Sequence, residues 1–139
     1  MTEKVNVLRI GIASREEMKT RSMAIVRGEY RPSPNEPKVW FTSIESLAQV
    51  LSTKNQLLLE LIAKMKPASM AELAKMSGRQ PSNLSRTIST MKKYGLVRIR
   101  QEGVRRVPEA VYDRIDVSLL YGAVVASQAL TAGRLQIVR

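Results

Sequence analysis

Gly78 and Pro81 stand three residues apart in the run "MAELAKMSGRQPSNLSRTISTMKKYG", and this spacing constrains the fold more than any other feature. A glycine ends a helix readily because it accepts the left-handed backbone of a C-terminal cap. A proline starts one readily because its fixed φ suits the first turn. Upstream, Ser69 and Glu72 form a capping box that opens a short helix through Leu73 and Met76. Downstream, Leu84, Ile88 and Met91 recur at helical spacing in a helix that runs to Tyr94 and is closed by Gly95. The chain therefore has to turn between two helices within Arg79 and Gln80.

The flanking segments extend this pattern. Lys4 to Ala13 alternates apolar with polar or small residues and reads as a strand. Ser14 and Glu17 then open a helix expected to reach about Arg27. Three prolines between Arg31 and Pro37 make that stretch a loop, and Lys38 to Thr42 (KVWFT) is a short strand. Ser43 is placed to cap a helix carrying Ile44, Leu47 and Leu51. Ser52-Thr53 starts another through Leu57, Leu58, Leu61, Ile62 and Met65, ending before Pro67. After Gly95, Leu96 to Arg100, a turn at Glu102-Gly103, and Val104 to Val107 read as a two-stranded hairpin. Val111 to Val117 is expected to add a strand and Ser118 to Ala132 a final apolar helix.

The expected class is mainly α with small β: a winged helix-turn-helix with an N-terminal strand-helix extension and a C-terminal helix. The expected division is residues 1–37 for the extension, 38–117 for the winged helix-turn-helix and 118–139 for the C-terminal helix.

Composition narrows the functions open to such a chain. It has neither cysteine nor histidine, which removes disulfides, zinc fingers, thiol switches and the commonest catalytic bases. Its carboxylates are scattered, and Asp113 and Asp116 sit in no recognisable metal frame, so no cofactor and no catalysis are expected. No signal peptide is visible at the N-terminus. The longest uncharged run, 17 residues from Val117 to Gly133, is too short and too polar for a membrane span. A cytoplasmic location is the default expectation.

What the composition favours is a polyanionic partner, since the net charge is +11. Between Arg79 and Arg106 there are eight basic residues and one acidic, a net of +7 in a fifth of the chain. On the helix after Pro81, the positions away from the apolar stripe are Gln80, Ser82, Asn83, Ser85, Arg86, Ser89 and Thr90, followed by Lys92 and Lys93. Small polar side chains let a helix approach the floor of a DNA major groove. Asn, Gln and Arg can read base edges through paired hydrogen bonds, each worth roughly 1–3 kcal/mol of discrimination. In the hairpin, Arg98 and Arg100 alternate with Val97 and Ile99 and so share one face, and Arg105 and Arg106 follow the turn. These arginines could lie along phosphates or enter the minor groove. Plainer readings stand beside these: a solvated helix face, and an edge hairpin protected by its charge. Double-stranded RNA is a weaker candidate partner, because its major groove is too narrow for such a helix.

From Trp40 to about Leu119 the chain resembles MarR-like and ArsR-like winged-helix transcriptional regulators of prokaryotes. The resemblance is carried by "LLLELIAKMKPASMAELAKMSGRQPSNLSRTISTMKKYGLVRI". Within it "MAELAKMSG" is similar to the first helix and turn of the motif. "SNLSRTISTMKKYGLV" is similar to the recognition helix, with its arginine after Asn-x-Ser and its closing Tyr-Gly-Leu-Val. The stretches "VWFTSIESLAQVLSTKNQLLLELI" and "VPEAVYDRIDV" look like a set of small DNA-binding proteins of bacteria and archaea to which an antitoxin role is often ascribed. Metal- and thiol-sensing members use Cys or His, so this chain resembles those in fold only.

The resemblance implies a homodimer that binds double-stranded DNA as an autoregulatory repressor. An antitoxin that also neutralises a toxin protein is the alternative. Residues expected at the DNA are Arg79, Gln80, Ser82, Asn83, Ser85, Arg86, Thr90, Lys92, Lys93, Arg98, Arg100, Arg105 and Arg106. The Ala-, Gly- and Ser-rich C-terminal helix is read as the dimer contact, through Leu119, Leu120, Val124 and Leu130; packing on its own domain is an open alternative. The N-terminal strand and helix could supply an interface strand or hold a protein partner.

Overall fold

A computed structural model describes residues 4–120, which form five helices and five strands. It is an α+β chain, and it divides into two compact units. Among the described residues, one comprises 4–8 with Leu47–Arg114; the other comprises Arg9–Ser46 with 115–120. Helix α2 (Ile44–Val50) lies at this division. Ser43 starts it, accepting from the Ser46 amide at 3.1 Å.

β1 (Val7–Ile12), which enters the second unit at Arg9, leads through α1 (Arg15–Val26) to β2 (Val39–Phe41). Ser14 caps α1 as expected: its hydroxyl accepts from the Glu17 amide, and the Glu17 carboxylate accepts from the Ser14 amide at 2.7 Å. β2 lies parallel to β1, with Ile10 opposite Val39 and Ile12 opposite Phe41. The strand β5 (Arg114–Leu119) flanks β1 on its other side. It too runs parallel, because the Asn6 carbonyl accepts from the Asp113 amide while the Ile12 carbonyl accepts from the Leu120 amide. Alternation along β1 buries Ile10 and Ile12 on one face. On the other, Gly11 leaves room for Trp40, since a Cβ there would sit 2.6 Å from a ring carbon. Arg21 of α1 lies over Trp40 and Tyr30, 5.0 and 5.7 Å from the ring centroids, and pairs with Glu36 at 2.7 Å. This contact pins the proline-rich loop to the helix.

β5 corrects one boundary. Ser118 and Leu119 were expected to begin a helix, but they end this strand. Ile115, Val117 and Leu119 recur at a period of two, and the adjacent β1 supplies the backbone partners a strand needs. The rest of the expected C-terminal helix, with Val124 and Leu130, lies outside the described residues.

The first unit is built from α3 (Thr53–Met65), α4 (Met70–Ser77), α5 (Pro81–Lys93) and the antiparallel hairpin of β3 (Val97–Glu102) and β4 (Arg105–Ala110). Leu58 and Ile62, Leu73, and Leu84, Ile88 and Met91 turn inward from the three helices, and the hairpin adds Val97, Val107 and Pro108. Each large aliphatic side chain buried this way stabilises the fold by about 1.5–3 kcal/mol. Ser52 and Ser69 cap their helices by accepting from the amides of Asn55 and Glu72. The Glu72 carboxylate reaches one residue further back than a capping box requires and takes the Ala68 amide. Gly78 closes α4 with φ +72°.

The hairpin corrects a second expectation. Its two-residue loop is Gly103-Val104, not Glu102-Gly103, because Gly103 takes the positive φ of +66° while Glu102 is still paired with Arg105.

Candidate nucleic-acid interface

α5 sorts its side chains by chemistry. Leu84, Ile88 and Met91 are at most 1% exposed, whereas Ser82, Asn83, Ser85, Arg86, Ser89, Thr90, Lys92 and Lys93 are all exposed, as is Gln80 before the helix. Ser82, Arg86, Ser89 and Lys93 follow one another at steps of four, three and four, so they form a single line facing away from the core. Nothing on that line is larger than a serine except its two cations. The Gln80 side chain makes no cap bond, so the first amides of α5 are left without a side-chain acceptor. Lys93 lies 5.8 Å from the Tyr94 ring centroid, and the Thr90 hydroxyl donates back to the Arg86 carbonyl.

Arg79 is placed differently from its neighbours. Its guanidinium donates to the Lys54 carbonyl at 2.9 Å, to Asn55 Oδ1 at 3.1 Å and to Thr87 Oγ1 at 3.5 Å. It ties the turn before α5 to the start of α3, and touches α5 itself only through the long Thr87 contact. The same clasp brings in Lys54, exposed beside Arg79 and Asn83 on the rim of a groove between α3 and α5, and absent from the sequence expectation. A signal for it existed: a lysine in the first turn of a helix opposes the helix dipole.

The hairpin gathers Arg98, Arg100 and Arg105 on one exposed face, as alternation implies, but two carboxylates join them. Glu109 Oε1 accepts from Arg98 Nε and Nη2 at 3.1 and 2.8 Å, and Glu109 Oε2 accepts from Arg100 Nε at 2.8 Å. Glu102 accepts from Arg100 and from Arg105, each at 2.9 Å. Hydrogen bonds from Arg100 first and Arg98 second hold the Glu109 carboxyl below the usual carboxylate range, and Arg100 followed by Arg105 does the same to Glu102. The Arg100 guanidinium is pushed upward in return, by Glu109 more than by Glu102. Arg106 sits opposite Gln101, on the other face of the ladder. Among the described residues, Arg86, Lys92 and Arg106 have no carboxylate partner.

The arrangement thus offers a polar, groove-sized helix face with unpaired cations beside it, and a hairpin in which two carboxylates match half of the positive charge. Among the described residues, no helix is long and apolar enough to cross a membrane.

A family model described as HVO_A0114 matches residues 50–117, the stretch from the end of α2 into β5. No protein of curated function matches the chain. Among solved structures, that of a predicted DNA-binding transcriptional regulator from E. coli matches with 19% identity and a TM-score of 0.43, covering 67% of this chain and 86% of that one.

Proposed function

We propose that α3 to β4 form a winged helix-turn-helix that binds double-stranded DNA, with α5 as the recognition helix and the β3–β4 hairpin as the wing. One observation carries this reading: the line Ser82, Arg86, Ser89 and Lys93, exposed and backed by a buried apolar stripe. Such a face fits a major groove about 12 Å wide, where Arg86 can donate two N–H groups to O6 and N7 of one guanine. The uncapped amides of α5 suit a phosphate, as do Lys92 and Arg106. The protein acts in this reading as a homodimeric, MarR-like repressor of its own operon, in the cytoplasm, by binding and without catalysis. Footprinting on the DNA upstream of its gene tests this. Two protected patches one helical turn apart support the dimeric repressor, and uniform protection along the fragment refutes it.

A second reading, the antitoxin, draws on a different feature. Leu57, Met65 and Met76 are 59%, 58% and 38% exposed, and all three line a groove of about 890 Å³ between α3, α4 and α5. Apolar surface gathered in this way favours a protein partner. If a neighbouring gene encodes a toxin, coexpression should suppress its toxicity and Leu57→Glu should restore it.

A further inference from the structure

The ion pairs of the hairpin bear on how strongly it attracts DNA. Counting along the chain, Arg98, Arg100 and Arg105 look like three free positive charges. In space they share two carboxylates, so the five groups together carry a net charge of +1. Glu109 is the pivot. Both of its oxygens are engaged, and it draws on the Nε edge of two different arginines. Its position is set by the backbone, because Glu109 stands directly opposite Arg98 in the β3–β4 register. The carboxylate therefore travels with the arginines wherever the hairpin goes.

We infer that Glu109 limits the affinity of the hairpin for DNA by withholding Arg98 and Arg100 from phosphates, and that Glu102 acts likewise on Arg100 and Arg105. This rests on the DNA-binding reading above. The arginines and Glu102 are exposed and Glu109 is half-buried, so water still weakens each pair and a phosphate can compete for the guanidinium. A competing phosphate nevertheless meets an acceptor already in place, and after displacing it must sit beside a carboxylate of its own sign. The wing then adds little sequence-independent attraction. Sequence readout is left to the α5 face, with Arg106 as the hairpin's free cation.

Glu109→Gln keeps the shape and removes the charge. It should tighten binding to promoter and scrambled duplexes by the same factor, about three- to tenfold near 0.1 M salt, and steepen the salt dependence by about one phosphate contact. Glu102→Gln should move both readouts in the same direction, and it decides the question if the Glu109 variant loses its cooperative melt. Glu60→Gln is the control, because Glu60 is also an exposed, paired carboxylate but lies on α3 with Lys64. An equal gain from Glu60→Gln would assign the effect to net charge alone and overturn the inference. Unchanged or weaker binding by the Glu109 variant would overturn it too, leaving Glu109 to orient the arginines or the hairpin clear of DNA. If neither wild type nor variant binds any duplex, the DNA-binding reading fails, and this inference with it.

Discussion

Arg86→Ala gives the sharpest separation between reading bases and attracting phosphates. Arg86 is exposed at the middle of the α5 line, with small Ser82 and Ser89 on either side and no carboxylate partner among the described residues. If its guanidinium donates twice to one guanine, removal should cost about 1–3 kcal/mol at the specific site. That corresponds to roughly a 5- to 150-fold rise in Kd. On a scrambled duplex only a single cationic contact is lost, so the ratio of specific to non-specific affinity should fall several-fold. The assay is a competition titration of labelled operator with unlabelled operator and scrambled DNA, for wild type and variant in one buffer. The fold should survive, because the side chain leaves the buried stripe of Leu84, Ile88 and Met91 untouched. Equal losses on both duplexes would refute the base contact and make Arg86 a phosphate ligand.

Other expectations follow from the same geometry. Arg106→Ala should weaken binding to all duplexes and lower the salt slope by about one, whereas Arg105→Ala, already matched by Glu102, should lower it by clearly less; equal slopes would contradict the pairing. Gly11→Ala should destabilise the second unit by about 1–3 kcal/mol, because the added methyl meets Trp40 and Pro37. Trp40 is the chain's single tryptophan, so denaturant unfolding followed by its fluorescence reads this directly. The folded pKa values of Glu60, Glu102 and Glu109 are lowered by their cationic neighbours. The stability they contribute is therefore present above the ordinary carboxylate pKa and is lost as pH falls through the lowered values. Thermal melts taken down that acid range should show a decline that is shallower in a Glu102→Gln, Glu109→Gln double variant. An identical decline in the two proteins would remove the pairs from the account.

Local signals in the sequence were read well where the physics is local. The Ser14–Glu17 box, the Ser52 and Ser69 caps, Gly78, and the outward placement of Ser82 to Lys93 all depend on residues within one or two turns. The pairing partners of strands are not local. With the hairpin loop placed one residue early, Arg98 would face Val107; the actual loop brings it opposite Glu109. That slip hid the carboxylate that most changes the hairpin's charge. Charge places Arg79 among the expected DNA contacts, whereas its acceptors on Lys54 and Asn55, some 25 residues upstream, are visible only in the fold. The end of β5 was lost for a similar reason. Ser118 and Leu119 are strand because β1, more than 100 residues earlier, runs beside them.

The central claim is that the α5 face reads a DNA sequence. Fluorescence-anisotropy titration of the protein's own upstream promoter against a scrambled duplex, at two salt concentrations, tests it most directly. The account predicts tighter binding to the promoter, with a margin that persists at the higher salt while both affinities fall. Equal binding to the two duplexes, vanishing together as salt rises, would contradict it.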